Sequence, residues 1–300
     1  MSELRFDGKR VIVTGGGRGF GRSHAKLLAS RGAKVLIADY GVELDGTGSS
    51  AEPAEQVAKE IEANGGEAIG VFANVADEQE ANRVVQTAID EWGGLDILVN
   101  NAGISDPGWL LEKSREQYER MTNFQYYSTV WMTRAAWPHI VESKGNIVCT
   151  ASESILGNVP KAPDYSAAKG AVHAFMRAMA LEGSRVGVRV NAISPRGATR
   201  MASPEMLEVT FEISAEHFRD QYLEQMKVHR ASAAVGFLAH ESCPLTAHTL
   251  VCGGNQVMLL AFVRTQGITV EGEITPEDVA ANIDRILDTT DATVMHIDNP

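Results

Sequence analysis

Short apolar runs recur along the chain between longer segments of mixed polarity. This is the pattern of strands buried on both faces of a parallel sheet and joined by helices. Val11-Ile12-Val13, closing on Thr14, is the first run, and Val35-Leu36-Ile37-Ala38 the second. A third ends at Asn74-Val75, Ile97-Leu98-Val99 and Ile147-Val148-Cys149 follow, and a sixth reaches the Asn191 to Pro195 stretch. Between them the pattern predicts helices from about Arg22 to Ser30, Pro53 to Asn64, Tyr118 to Val141 and Tyr165 to Glu182, with Gly65-Gly66 ending the second. Alternation of this kind predicts α/β architecture, and 300 residues at 44% hydrophobic suffice for one sizeable core.

The first strand runs into Gly15-Gly16-Gly17-Arg18-Gly19-Phe20-Gly21 and then a helix. Glycines at 15, 19 and 21 permit a tight turn and close backbone approach. The helix after them offers free amide donors and the positive end of its dipole to a pyrophosphate. The stretch also spells GxxxxG followed by Arg22-Ser23, but a P-loop requires lysine where Arg22 stands. A dinucleotide is therefore the expected ligand. The second strand closes on Asp39, where a carboxylate can accept from both hydroxyls of the adenosine ribose. A 2'-phosphate there would face that carboxylate, whereas Arg18 is the kind of residue that pairs with such a phosphate. The two cues conflict. Asp39 serves free hydroxyls directly, so NAD is expected over NADP.

Tyr165-Ser166-Ala167-Ala168-Lys169 puts a phenol and an ammonium on one helix face, about a turn apart. A fixed cation favours phenolate, so Lys169 is expected to bring Tyr165 towards the range useful for general acid/base work. Alone, the pair is also compatible with a surface helix pair. Ser152 follows the strand through Thr150, at the carboxyl end where open α/β sheets place ligands. Its hydroxyl, or that of its neighbour Ser154, would hold a substrate oxygen on which charge develops.

Taken in order, Thr14 to Gly21, Asn100-Asn101-Ala102-Gly103, Ser152, Tyr165, Lys169 and Asn191 to Pro195 resemble the short-chain dehydrogenase/reductase family over roughly residues 7 to 255. The resemblance implies a single Rossmann-type, doubly wound domain with seven parallel strands, a nicotinamide cofactor and a catalytic tetrad. The tetrad is matched by Asn123, Ser152 (favoured over Ser154 by family spacing), Tyr165 and Lys169. In the family the asparagine's backbone carbonyl holds a water linking the lysine to solvent, and the lysine also binds the nicotinamide ribose. Asn101, Ala102 and Gly103 are implied to lie against the adenosine ribose, and Asn74 and Val75, where many relatives carry Asp-Val, against adenine. Gly15, Arg18, Gly19, Phe20, Gly21 and Asp39, with Pro195 and Thr199, complete the implied cofactor site. Pro195-Arg196-Gly197 departs from the family's Pro-Gly, leaving Arg196 to meet a carboxamide, a substrate carboxylate, a phosphate or solvent. The polar insert Tyr40 to Glu52, the stretch Phe237 to Cys243 and the segment from about Val257 resemble the dehydrogenase part of peroxisomal multifunctional enzymes of fatty-acid oxidation and their bacterial relatives. In that last segment Thr275-Pro276-Glu277-Asp278 predicts a capped helix to about Leu287.

The expected organisation is a dinucleotide-binding catalytic domain, residues 1–255, with a substrate lid at 196–230, and a C-terminal extension of the same domain, 256–300. The lid offers Met201, Met206, Leu207, Val209, Phe211, Ile213, Phe218 and Met226, the lining of an apolar pocket or ordinary core at near-helical spacing. A net charge of -12 opposes nucleic-acid or anionic-membrane binding, and no apolar run approaches bilayer length. Cys149, Cys243 and Cys252 form no CxxC pair, which points to a reducing compartment, with the cytoplasm the default. His240, Cys243 and His248 lack a ligand framework, and no metal is expected. The resulting expectation is a NAD-dependent oxidoreductase interconverting a hydrophobic secondary alcohol and its ketone, Tyr165 being the general acid/base. Alternatives are a (3R)-hydroxyacyl-CoA dehydrogenase, for whose phosphates Arg196, Arg200 and Lys227 would be suited, and an NAD-binding regulatory or scaffold protein. Helices around 123–141 and 165–182 resemble the family's oligomer-forming pair, which implies a homodimer or homotetramer.

Overall fold

Seven strands lie side by side in one parallel sheet: β1 (Arg10–Thr14), β2 (Lys34–Asp39), β3 (Glu67–Phe72), β4 (Ile97–Asn100), β5 (Asn146–Thr150), β6 (Arg189–Pro195) and β7 (Thr249–Gly253). Their order is β3-β2-β1-β4-β5-β6-β7. Every neighbouring pair among the seven is parallel, with Val11 opposite both Val35 and Ile97, and Ile147 opposite Val190. The computed structural model describes residues 3–212 and 223–297. An eighth strand, β8 (Gln256–Leu260), borders β7 across the turn Gly254-Asn255, a connection too short for anything but an antiparallel return. The sheet thus has one strand more than the seven parallel strands the family resemblance implies, and this added strand is an exposed edge.

Side chains alternate across each strand. Val11, Val13, Val35, Ile37, Val99 and Val148 join one core cluster, while Ile12, Leu36, Leu98 and Ile147 are equally buried on the opposite side. Three helices, α1 (Gly19–Ser30), α2 (Glu52–Ala63) and α8 (Val228–Ala239), contribute Leu28, Val57, Ile61 and Leu238 to the first cluster. α3 (Glu78–Trp92), α5 (Ser128–Ser143) and α6 (Pro163–Ser184) belong to the other layer, with α3 against α5. α3 starts on Asp77, whose carboxylate accepts from Gln79 and Glu80, and stops at left-handed Gly93.

The helical stretch expected between Tyr118 and Val141 is interrupted. α4 (Arg115–Thr122) passes into a π-turn at Asn123–Tyr127 before α5 begins, so the helix faces change phase there. A short helix, α7 (Pro204–Phe211), lies in the expected lid; Ile213 and Phe218 fall outside the described residues. The chain divides into two compact units, residues 1–259 and 260–300. Within the second, β9 (Val263–Arg264) and β10 (Thr293–Val294) pair antiparallel. Thr275 is the expected cap, closed into a capping box by Asp278, but the helix expected to about Leu287 breaks at Asn282 into α9 (Pro276–Ala281) and α10 (Ile283–Leu287).

Candidate active site

The parallel sheet reverses its winding between β1 and β4, and ligand crevices form at the carboxyl ends of strands beside such a reversal. Here β1 and β4 are fastened together by side chains. Asn101 Nδ2 donates to the carbonyls of Thr14 and Gly15, at 3.0 and 3.1 Å, and Thr14 Oγ1 accepts from the backbone of Asn101 and Ala102. Gly15 and Gly19 hold positive φ angles of 60° and 52°. A Cβ on Gly21 would stand 2.1 Å from the Gly15 carbonyl oxygen, so only glycine lets α1 start this close to the turn. Asp39 accepts from Gly17 N–H through one oxygen and from Gly41 N–H through the other, both at 2.7 Å.

One cavity of about 470 Å³ collects most of the expected residues. Gly15, Arg18, Gly19, Phe20, Asp39, Asn74, Val75, Asn101, Ala102, Gly103, Pro195 and Thr199 line it, together with Ser152, Tyr165 and Lys169. Gly21 does not; it shapes the turn from behind. Asn123 does not either, and its side chain is exposed. Its carbonyl accepts the Ser128 N–H of the π-turn. Gln125, in the same π-turn, is buried at 1% exposure, lining the cavity and donating Nε2 to the Ile104 carbonyl at 2.5 Å. Helical spacing marks Gln125 as an inward position, since it stands four residues after buried Met121. Asn74 turns its carbonyl oxygen to the Ala76 N–H, so part of its accepting capacity is spent on its own turn.

The charge balance at Tyr165 and Lys169 differs from expectation. Tyr165 meets Ser152 through a hydrogen bond that favours the ionised phenol, yet burial outweighs it and pushes the phenol above its ordinary value. Burial pulls Lys169 down to about 7. The ammonium donates to the Thr150 carbonyl at 2.7 Å and lies 5.8 Å from the Tyr165 ring centroid. The Cys149 thiol beside it is itself pushed to about 12 by burial and is neutral at physiological pH, so it supplies no counter-charge. Arg196 is partly open to solvent, one of the fates anticipated for it, and also has a protein partner. Its guanidinium grips Glu153, next to Ser152, through two bonds of 2.7 Å.

A family model described as short chain dehydrogenase matches residues 9–208. The chain belongs to this family. Among its relatives, a putative short-chain type dehydrogenase/reductase of Mycobacterium tuberculosis is 32% identical over 95% of this chain and 96% of its own length. The mouse peroxisomal multifunctional enzyme type 2 is 33% identical over 97% of this chain, which spans 38% of that enzyme. The solved structure of carveol dehydrogenase from Mycobacterium avium in complex with NAD superposes with a TM-score of 0.74 at 25% identity, over 83% of this chain and 97% of that one. As a short-chain dehydrogenase/reductase the protein is an oxidoreductase. Among the described residues no helix is long and apolar enough to cross a membrane.

Proposed function

We propose that this protein is a NAD-dependent dehydrogenase/reductase interconverting an uncharged, hydrophobic secondary alcohol and its ketone. The observation that carries the reading is the convergence of Tyr165, Ser152 and Lys169 on one largely apolar cavity that also holds Asp39. The glycine turn, Asp39 and the Asn101 to Gly103 turn would hold the adenosine end of the dinucleotide, and Pro195 and Thr199 the nicotinamide end. Bound nicotinamide supplies the hydride acceptor or donor. Each Asp39 oxygen accepts one backbone N–H and keeps a lone pair for a ribose hydroxyl, which supports NAD over NADP. Arg18 is committed to the Val42 carbonyl at 3.0 Å, which supports the same choice. The NAD bound to the carveol dehydrogenase agrees with it.

Ser152 would hold the substrate oxygen, and Tyr165 would pass a proton between its own oxygen and that one. A phenol whose ionisation is raised by burial keeps its proton at neutral pH and so is ready to donate during ketone reduction. As a base for alcohol oxidation it becomes more effective as pH rises. Val42, Val159, Leu207, Phe211 and Met226 supply apolar wall for the rest of the substrate.

An uncharged substrate is favoured because four of the cations at the cavity and lid are already paired with carboxylates, while Arg18 and Lys169 lie on the cofactor and catalytic side. Arg196 pairs with Glu153, Arg200 with Glu43, Lys161 with Glu212, and Lys227 near the lid with Glu224. A CoA thioester would have to compete for each of them. A second reading, (3R)-hydroxyacyl-CoA dehydrogenase, is supported by the similarity to the multifunctional enzyme. Exposed Tyr127, stacked on Trp131 at 5.6 Å, and exposed Leu181 on α6 support assembly as a homodimer or homotetramer, which light scattering reads.

The test is an absorbance assay of NAD and NADP reduction against a panel of uncharged secondary alcohols and matched 3-hydroxyacyl-CoA esters. Turnover of free alcohols with NAD is expected. Turnover confined to the CoA esters would replace the first reading with the second, and a preference for NADP would overturn the cofactor assignment.

A further inference from the structure

Lys113 and Asp164 form the one ion pair among the described residues in which both side chains are all but sealed from solvent. Each is 1% exposed, with Nζ 2.5 Å from Oδ2. Desolvation consumes most of what such a pair gains, so its location matters more than its net strength. Asp164 directly precedes Tyr165 in the first turn of α6, and its Oδ1 accepts the Tyr165 backbone N–H at 2.9 Å. Ala162 gives this helix no side-chain cap, leaving Asp164 to satisfy an amide of its opening turn. Lys113 also donates to the Asp106 carbonyl, closing a loop whose Ser105, Asp106 and Pro107 line the cavity. The same loop is tied to the approach to α6 by Gly108 N–H donating to the Lys161 carbonyl at 2.8 Å.

Resting on the acid/base role proposed for Tyr165, we infer that Lys113 and Asp164 are its positioning residues. The carboxylate sets the first turn from which the phenol projects. The ammonium ties that turn to the substrate wall and cancels the carboxylate's field at the phenol. Other charged groups in the cavity with Tyr165 are Lys169 on the same helix, Asp106, Lys161, Arg196 and Arg200, which pair with Arg120, Glu212, Glu153 and Glu43 respectively, and Arg18 and Asp39, which hold backbone groups. Removing the Lys113 ammonium alone leaves an unpaired carboxylate one residue from Tyr165 and disfavours phenolate. Removing the Asp164 carboxylate alone leaves a positive charge and favours it, and removing both restores neutrality. A pair that merely braced the fold would show no such opposition of sign.

Tyrosinate difference absorbance, each variant measured against the same variant carrying Tyr165→Phe, reads this phenol without a substrate. Lys113→Met should move its titration up by about one pH unit and Asp164→Asn down by about one. The double variant should return to the parent curve, with circular dichroism showing all of them folded. The pH at which oxidation of the best alcohol in the panel rises should move in the same sense. Shifts of the same sign in the two single variants, no shift in either, or a double variant displaced like Lys113→Met would overturn the inference. If the single variants fail to fold, turnover by the double variant decides, because it strands no buried charge: kcat at least about tenfold below the parent with KM unchanged supports the positioning role, and a parent-like kcat refutes it. Full turnover by Tyr165→Phe would instead remove the acid/base assignment itself, so the two failures are distinguishable.

Discussion

The dinucleotide side of the cavity and its substrate side are built from different materials. Around Gly15 to Gly21, Asp39 and Asn101 the surface is mostly backbone and small residues, brought so close that an added Cβ would strike a neighbouring main chain. On the other side the wall depends on long charged side chains joining remote segments: Arg196 to Glu153, Lys161 to Glu212 and Arg200 to Glu43. Close backbone packing has few alternatives, whereas partly exposed ion pairs can be exchanged one at a time with modest effect on the sheet beneath. The contrast suits an enzyme whose cofactor site is fixed and whose substrate wall is adjustable.

The contrast breaks most visibly at Gly21. Gly21→Ala should cost about 3 kcal/mol or more and abolish NADH binding, because the new methyl meets a carbonyl that cannot move without unseating Asn101. Thermal melting and NADH fluorescence titration measure both effects, and parent-like values would refute the close-packing argument.

A smaller effect is expected at His24, sealed beneath the glycine turn with Nδ1 on Ser232 at 2.8 Å. Burial pulls its imidazole down to about 3 from 6.5. The unfolded chain therefore takes up a proton as pH falls through about 6.5 while the folded chain refuses it until about 3, so this group erodes stability over that window. At about pH 5 the loss is roughly 2 kcal/mol. His24→Gln should lose less stability than the parent between neutral pH and pH 5 in denaturant titrations; an unchanged acid sensitivity would count against a buried neutral histidine.

The smallest effect belongs to the adjustable wall. Breaking the half-exposed Arg196–Glu153 bridge with Arg196→Met should change stability by less than about 1 kcal/mol and kcat/KM by no more than about fivefold. A far larger fall in kcat/KM would mean that Arg196 leaves Glu153 to touch the substrate.

What was legible in the sequence follows the same division. The glycine turn, Asp39 and the Tyr165–Lys169 spacing are local patterns whose geometry is set within a few residues, and all of them line or shape the cavity. The π-turn at Asn123 was not legible, because an i to i+5 bond alters helix phase without a composition signature. Arg196 was recognised as unusual, but its partner Glu153 lies 43 residues away, beyond any local rule. Burial around Tyr165 is likewise a tertiary property. Helical spacing brings the lysine near but cannot say that desolvation outweighs its charge. Strand β8 is not legible because its pairing with β7 is set by the turn at Gly254-Asn255 and not by burial.

The central claim is that the Tyr165 hydroxyl exchanges the substrate proton in a cleft that binds NAD independently of it. Tyr165→Phe removes one oxygen and leaves the ring. NADH affinity, read by fluorescence, should remain that of the parent, while turnover of the best alcohol falls about a thousandfold. Undiminished turnover in that variant would contradict the account.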